Sequence, residues 1–150
     1  MARSRTRFFA LVSLVALAAG ILMMSSSAAA ASGPVAQAAA CTSGSSACPI
    51  RITFRSGAYS GQGTSTLSGI SSTRWFVVRA RAGQTMIVIV EGAGATRGTV
   101  YFPNGKHEGQ PGGRIFDGPL PASGDYRIKV SESTMGSAWS GRVSVLVVIY

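Results

Sequence analysis

The stretch RWFVVRARAGQTMIVIVEG, residues 74–92, decides the fold class. It holds two runs of aromatic and β-branched residues, 75–80 and 85–91, separated by four residues that include Gly83. Side chains branched at Cβ are stiff and pack well on a pleated surface, and a four-residue gap leaves room only for a tight turn. The stretch therefore reads as two adjoining strands. In the second, residues 86–90 are apolar without a break, which predicts a central strand covered on both faces.

Working outward, IRITF (50–54) alternates, with Arg51 and Thr53 on its outer side, and GTSTLSG (63–69) is a thin polar strand suited to a sheet edge. On the other side, GTVYFPNGKHEG (98–109) carries Asn104-Gly105, a strong turn signal because both residues tolerate positive φ. A glycine-rich loop, a short strand at 114–116, a strand from Tyr126 through Ile128 to Val130, and a last strand, RVSVLVVIY (142–150), complete the chain. From Pro49 onward no window has the three-to-four-residue apolar spacing of a helix. The expectation is an all-β protein: an antiparallel β-sandwich of about eight strands in two packed sheets, with no helix beyond single turns.

The first forty residues read differently. Arg3, Arg5 and Arg7 precede an uncharged apolar run, 8–24, and then an alanine-rich segment with small-x-small sites between Ala29 and Ala40. This is the pattern of a secretory signal peptide with its cleavage region. The run sits at the short edge of what spans a bilayer, so a retained anchor is the alternative. Export followed by cleavage would leave residues 41–150 as one sandwich domain, periplasmic or secreted, with no stable membrane span. In that setting Cys41 and Cys48, with TSGSSA between them, are expected to form a disulfide, and so short a loop contributes at most about 2 kcal/mol. A cysteine behind an apolar run can instead take a lipid, and cleavage just before Cys41 would make the two fates compete. The lipid reading is a poor match here, with Ala38 where a larger aliphatic residue would stand.

The chain has 14 basic and 5 acidic residues and a net charge of +9. Without the three leader arginines the balance is +6. Such a charge favours acidic partners, which outside the cytoplasm means anionic envelope polymers or an acidic protein, and the export signal argues against nucleic acid. Catalytic sets are absent from the pattern. His107 is the single histidine and falls in the NGKHEG turn, where nothing holds an imidazole beside a nucleophile. The acids Glu91, Glu108, Asp117, Asp125 and Glu132 are scattered, so neither a metal ligand set nor a glycosidase pair stands out. GAGATRG (92–98) joins strands and does not open a helix, which weakens any likeness to a phosphate cradle. The expectation is a protein that is not an enzyme and holds no metal or cofactor.

What remains is the corner PLPASGDYRI, where Ser123, Gly124 and Tyr126 stand as Ser-Gly-x-Tyr. Together with RITFRSGAYSGQGTSTLSG and FVVRARAGQTMIVIV, this corner resembles the exported lysozyme inhibitors, in particular the inhibitors of g-type lysozyme, from about Arg51 to the end. It is also similar to β-sandwich modules on the C-terminal side of secreted bacterial peptidases. The resemblance implies a small periplasmic sandwich that plugs a lysozyme cleft with a loop. In the related inhibitors of invertebrate-type lysozyme the Ser-Gly-x-Tyr corner supplies contacts, which would fall to Ser123, Gly124 and Tyr126. The g-type branch carries an arginine-rich stretch after the next strand. Here that stretch is SESTMGSAWSGR (131–142), with Arg142 as its basic residue and Trp139 as an aromatic anchor.

The residues themselves offer a second role for Tyr126. By period two it shares the core side with Ile128 and Val130, and a tyrosine at a strand entrance commonly bonds nearby backbone, leaving partner contact to Ser123 and its loop. Arg79, Arg81, Arg97, Arg114, Arg127 and Lys129 fall on outer positions. They are solvated strand faces or, together, one basic sheet face. A module binding the envelope or its glycans through that face and through Trp75, Trp139 or Tyr59 is the alternative function.

Overall fold

The computed structural model describes residues 41–133 and 137–150. The leader, its cleavage region and residues 134–136 of the 131–142 stretch lie outside the described residues. Nine strands are present: β1 (Ile50–Arg51), β2 (Ser60–Ser68), β3 (Thr73–Ala80), β4 (Thr85–Gly92), β5 (Thr96–Tyr101), β6 (His107–Pro111), β7 (Gly113–Pro119), β8 (Gly124–Glu132) and β9 (Ser140–Ile149). They form a five-stranded sheet, β1-β3-β8-β5-β6, and a four-stranded sheet, β2-β9-β4-β7. The all-β sandwich read from the sequence is the fold. No helix among the described residues is long and apolar enough to cross a membrane.

Period-two alternation builds the core. Phe76, Val78 and Ala80 from β3 and Tyr126, Ile128 and Val130 from β8 meet Met86, Val88 and Val90 from β4 and Val143, Val145 and Val147 from β9. Each large apolar side chain taken fully out of water stabilises by about 1.5–3 kcal/mol before ordering costs. β2 is an edge strand, as its thin polar sequence suggests, and its thinness has a use. A Cβ at Gly63 would stand 2.8 Å from the Phe76 ring, so this glycine lets the aromatic side chain press against the strand. Gly63→Ala is expected to cost about 1–3 kcal/mol by overpacking, readable in urea unfolding.

Three expectations change. β4 is interior to its sheet but covered on one face only, because nothing packs outside a two-layer sandwich. Ile87 and Ile89 are half-buried on the outer face opposite Val148 and Leu146 of β9. The unbroken apolar run thus serves two surfaces, the core and this outer cluster. The strand read at 50–54 pairs over Ile50 and Arg51, and it runs parallel to β3, so the sandwich is not wholly antiparallel. β6 forms where glycine and proline suggested loop. The Asn104-Gly105 turn, with φ 84° at Gly105 and the Lys106 N–H donated to Asn104 Oδ1 at 3.1 Å, hands the chain to β6 opposite β5. His107 is consequently the first residue of a strand, its ring stacked on Tyr101 at 5.3 Å.

Cys41 and Cys48 are joined by a disulfide, with Cα atoms 5.9 Å apart. The small loop is fastened to the five-stranded sheet, since the Trp75 N–H donates to the Gly44 carbonyl at 2.8 Å and the Arg127 guanidinium to the Ser46 carbonyl.

Candidate protein-binding corner

The segment 119–124 turns the chain from β7 into β8 and lies against the β3–β4 turn. Two backbone bonds hold them together: the Leu120 N–H donates to the Gln84 carbonyl at 2.8 Å and the Gly83 N–H to the Leu120 carbonyl at 2.9 Å. The side chain of Leu120 is buried between the sheets. The β3–β4 turn is itself closed, with Gly83 at φ 83° and the Arg81 N–H donated to Gln84 Oε1 at 2.8 Å.

Tyr126 lies beneath this corner. Its ring is fully buried against Phe102, with centroids 5.7 Å apart. The hydroxyl donates to the Ala122 carbonyl at 2.6 Å and faces the Ala122 N–H at 3.4 Å. The ring anchors the core and the hydroxyl shapes the turn. Ser123 stands outside, exposed, and its Oγ accepts the Ala82 N–H at 2.9 Å. Gly124 has φ 150°, and a Cβ there would come within 2.9 Å of Pro103. That conformation and that contact both require glycine. The corner is therefore held from three sides while its tip faces solvent.

Arg79, Arg81, Gln84, Ser123 and Gly124 line one open concavity. Both arginines are exposed, and no ion pair engages either among the described residues. The neighbouring acid, Asp125, is committed to Arg51 at 2.9 Å. The hydrogen bond from Arg51 holds the Asp125 carboxyl below the usual aspartate range, partly opposed by burial and helped by the charges of Arg51 and Arg79. The pair stabilises in full above the ordinary value of about 3.9 and is lost as pH falls through the depressed folded value. Because the pair is exposed, the effect is under about 1 kcal/mol. An NMR titration of Asp125 should show the shift, and Arg51→Ala should remove most of it.

Trp139 and Arg142 are elsewhere. The half-buried Trp139 ring lies over the β4–β5 connection, close enough that a Cβ at Gly94 would meet it at 2.8 Å. Its indole N–H donates to the Ala95 carbonyl at 2.9 Å, and its backbone N–H to Glu132 Oε2 at 3.2 Å. Arg142 is exposed on β9 beside Glu91 and Ala93. These residues gather at the far end of β4, whose eight residues span about 25 Å at ~3.3 Å per residue. The structure thus brings Ser123, Gly124 and Tyr126 together and sets Trp139 and Arg142 at the opposite end of the sandwich. Arg79 and Arg81 join the corner without a signal in the local sequence, because their approach follows from the pairing of β3 with β8, which sets Arg79 opposite Asp125 and Ala80 opposite Gly124.

Among the described residues no group of three or more His, Cys, Asp or Glu stands together. No protein-family model and no curated protein sequence matches the chain. Solved structures do match. PliG of Aeromonas hydrophila, a periplasmic lysozyme inhibitor of g-type lysozyme, is 26% identical with a TM-score of 0.58, over 68% of this chain and 96% of that one. The protein shares the fold of the g-type lysozyme inhibitors. PliG of Salmonella Typhimurium matches at 21% identity and a TM-score of 0.52, over 68% of this chain and 97% of that one. A PliG-Ec mutant from Escherichia coli matches at 19% identity and a TM-score of 0.51, with the same coverage. At the last two identities the likeness is one of fold.

Proposed function

We propose that this protein is an exported inhibitor of a lysozyme, in the first place one of the g-type, acting in the periplasm or after secretion. In this reading the corner at 120–124 enters the sugar-cleaving cleft, with Arg79 and Arg81 at its flanks. The observation that carries it is the fixed, outward Ser123–Gly124 tip with two exposed guanidinium groups beside it, neither in an ion pair among the described residues. The Aeromonas hydrophila inhibitor, matched over 96% of its length at 26% identity, supports the class of partner.

The chemistry fits the target class. Glycoside hydrolysis generally rests on carboxyl groups lining the cleft. A guanidinium can meet a carboxylate through two parallel hydrogen bonds, and a tip already rigid loses little entropy when it docks. The protein then needs no chemistry of its own, only a shape that excludes substrate. Arg79 and Arg81 would take the part that the resemblance gives to an arginine-rich stretch after β8.

Clearing of a bacterial wall suspension by g-type, invertebrate-type and c-type lysozymes, with and without the purified domain, tests the reading. Inhibition of the g-type enzyme is expected, and it should persist at salt concentrations that screen diffuse charge attraction. Undiminished clearing by all three would overturn it.

A further inference from the structure

We propose that the outer face of the five-stranded sheet is a second binding surface, and that its ligand is an acidic polysaccharide. This proposal stands apart from the inhibitor reading and uses none of its residues.

Strand register puts the face together. Arg127 of β8 lies opposite Tyr101 of β5, which lies opposite His107 of β6. One step along, Trp75 of β3 lies opposite Lys129 of β8, and Arg97 of β5 opens the next row. All six side chains share the outward phase, because the alternate residues Phe76, Val100, Ile128 and Val130 are buried in the core. The rings run in a line, Trp75 to Tyr101 at 5.3 Å and Tyr101 to His107 at 5.3 Å. The Arg127 guanidinium lies 4.7 Å from the Trp75 ring centroid and is tethered to the Ser46 carbonyl of the disulfide loop. It is held ready, without an acid of its own.

Charge is distributed unevenly between the two outer faces. On the four-stranded sheet, Arg114 is paired with Asp117, and Arg142 lies beside Glu91. On the five-stranded sheet Asp125 is spent on Arg51 at the end of the face, leaving Arg97, Arg127 and Lys129 without an ion pair among the described residues. Neighbouring strands are about 4.8 Å apart, so cations and rings on β3, β8, β5 and β6 lie within reach of one extended ligand chain.

The ligand chemistry follows. Carboxylates or sulfates meet the cations, and the apolar faces of sugar rings rest on the partly exposed aromatic edges. A nucleic acid would need an open aromatic face for each base. Trp75 is half-buried with Arg127 across its ring, and the Trp75 and Tyr101 planes are inclined by 37°. Sugar rings tolerate such a surface better than bases do.

The test is titration calorimetry of the purified domain against polygalacturonate, with dextran and a single-stranded oligonucleotide as comparison probes. Polygalacturonate should bind, more weakly as salt rises, and dextran should not. Arg97→Glu with Lys129→Glu should lower the affinity by about tenfold or more, while Arg55→Glu, in the exposed loop before β2, with Arg114→Glu on β7, the same change in net charge placed away from this face, should change it by less than about twofold. Arg97→Gln with Lys129→Gln provides the same comparison if the reversed charges disturb folding. Equal loss in both pairs would mean binding by net charge and overturn the face. Absence of polygalacturonate binding, or tighter binding of the oligonucleotide through the same two residues, would overturn the ligand. Lysozyme enters none of these measurements, so their failure and the failure of the inhibitor reading are separate events.

Discussion

Replacing Tyr126 by alanine is expected to cost about 3–5 kcal/mol of stability, a large share of what a domain of this size has. The ring is fully buried among Phe102 and the β8 core residues, and its removal leaves a cavity that two hydrogen-bonded sheets cannot collapse to fill. Tyr126→Phe isolates the hydroxyl. It keeps the ring and removes the 2.6 Å bond to the Ala122 carbonyl, at a cost of about 1 kcal/mol. Urea unfolding of the two variants should therefore separate widely. If the alanine variant lost less than about 1 kcal/mol, the ring would not be the support that the corner needs.

Ser123→Arg is expected to lower lysozyme inhibition by about a hundredfold or more while leaving the fold intact, because a bulky cation at the tip no longer fits the space the serine occupied. The Ala82 N–H loses its acceptor, but it sits in an exposed turn where water replaces the bond, so stability should fall by about 1 kcal/mol or less. Arg79→Glu with Arg81→Glu should weaken inhibition in the same direction, by placing like charge opposite the carboxyl groups of a cleft. Inhibition constants from the wall-clearing assay, read beside melting temperatures, distinguish a lost contact from a lost fold. The opposite result, with Ser123→Arg harmless and Arg142→Ala damaging, would move the contact to the far end of the sandwich.

The contrast between those two ends marks where the sequence stops being informative. Ile128 and Val130 announce their side of the sheet by alternation with Arg127 and Lys129, and Asn104-Gly105 announces its turn by backbone chemistry. Both are local properties. β6 was hidden because its residues, His-Glu-Gly-Gln-Pro, have poor strand propensity and pair only because β5 and the preceding turn present a partner. Ile87 and Ile89 read as core because an apolar residue facing outward looks, in one dimension, the same as one facing inward. The nearness of Arg79 and Arg81 to Ser123 depends on the pairing of β3 with β8 and on bonds between the Leu120 segment and the β3–β4 turn, about forty residues apart in the chain. Tyr126 is an intermediate case. Its core phase is legible in the sequence, whereas the engagement of its hydroxyl with Ala122 depends on how the 119–124 turn folds back over the ring.

In the proposed reading one end of the sandwich, the corner at 120–124 with the β3–β4 turn, meets a lysozyme. Amide hydrogen exchange of the domain, alone and mixed with a g-type lysozyme, tests it directly. Slowed exchange is expected at residues 81–84 and 120–124, with residues 92–95 and 137–142 unchanged. Protection confined to the latter two segments, or no protection anywhere at saturating lysozyme, would contradict it.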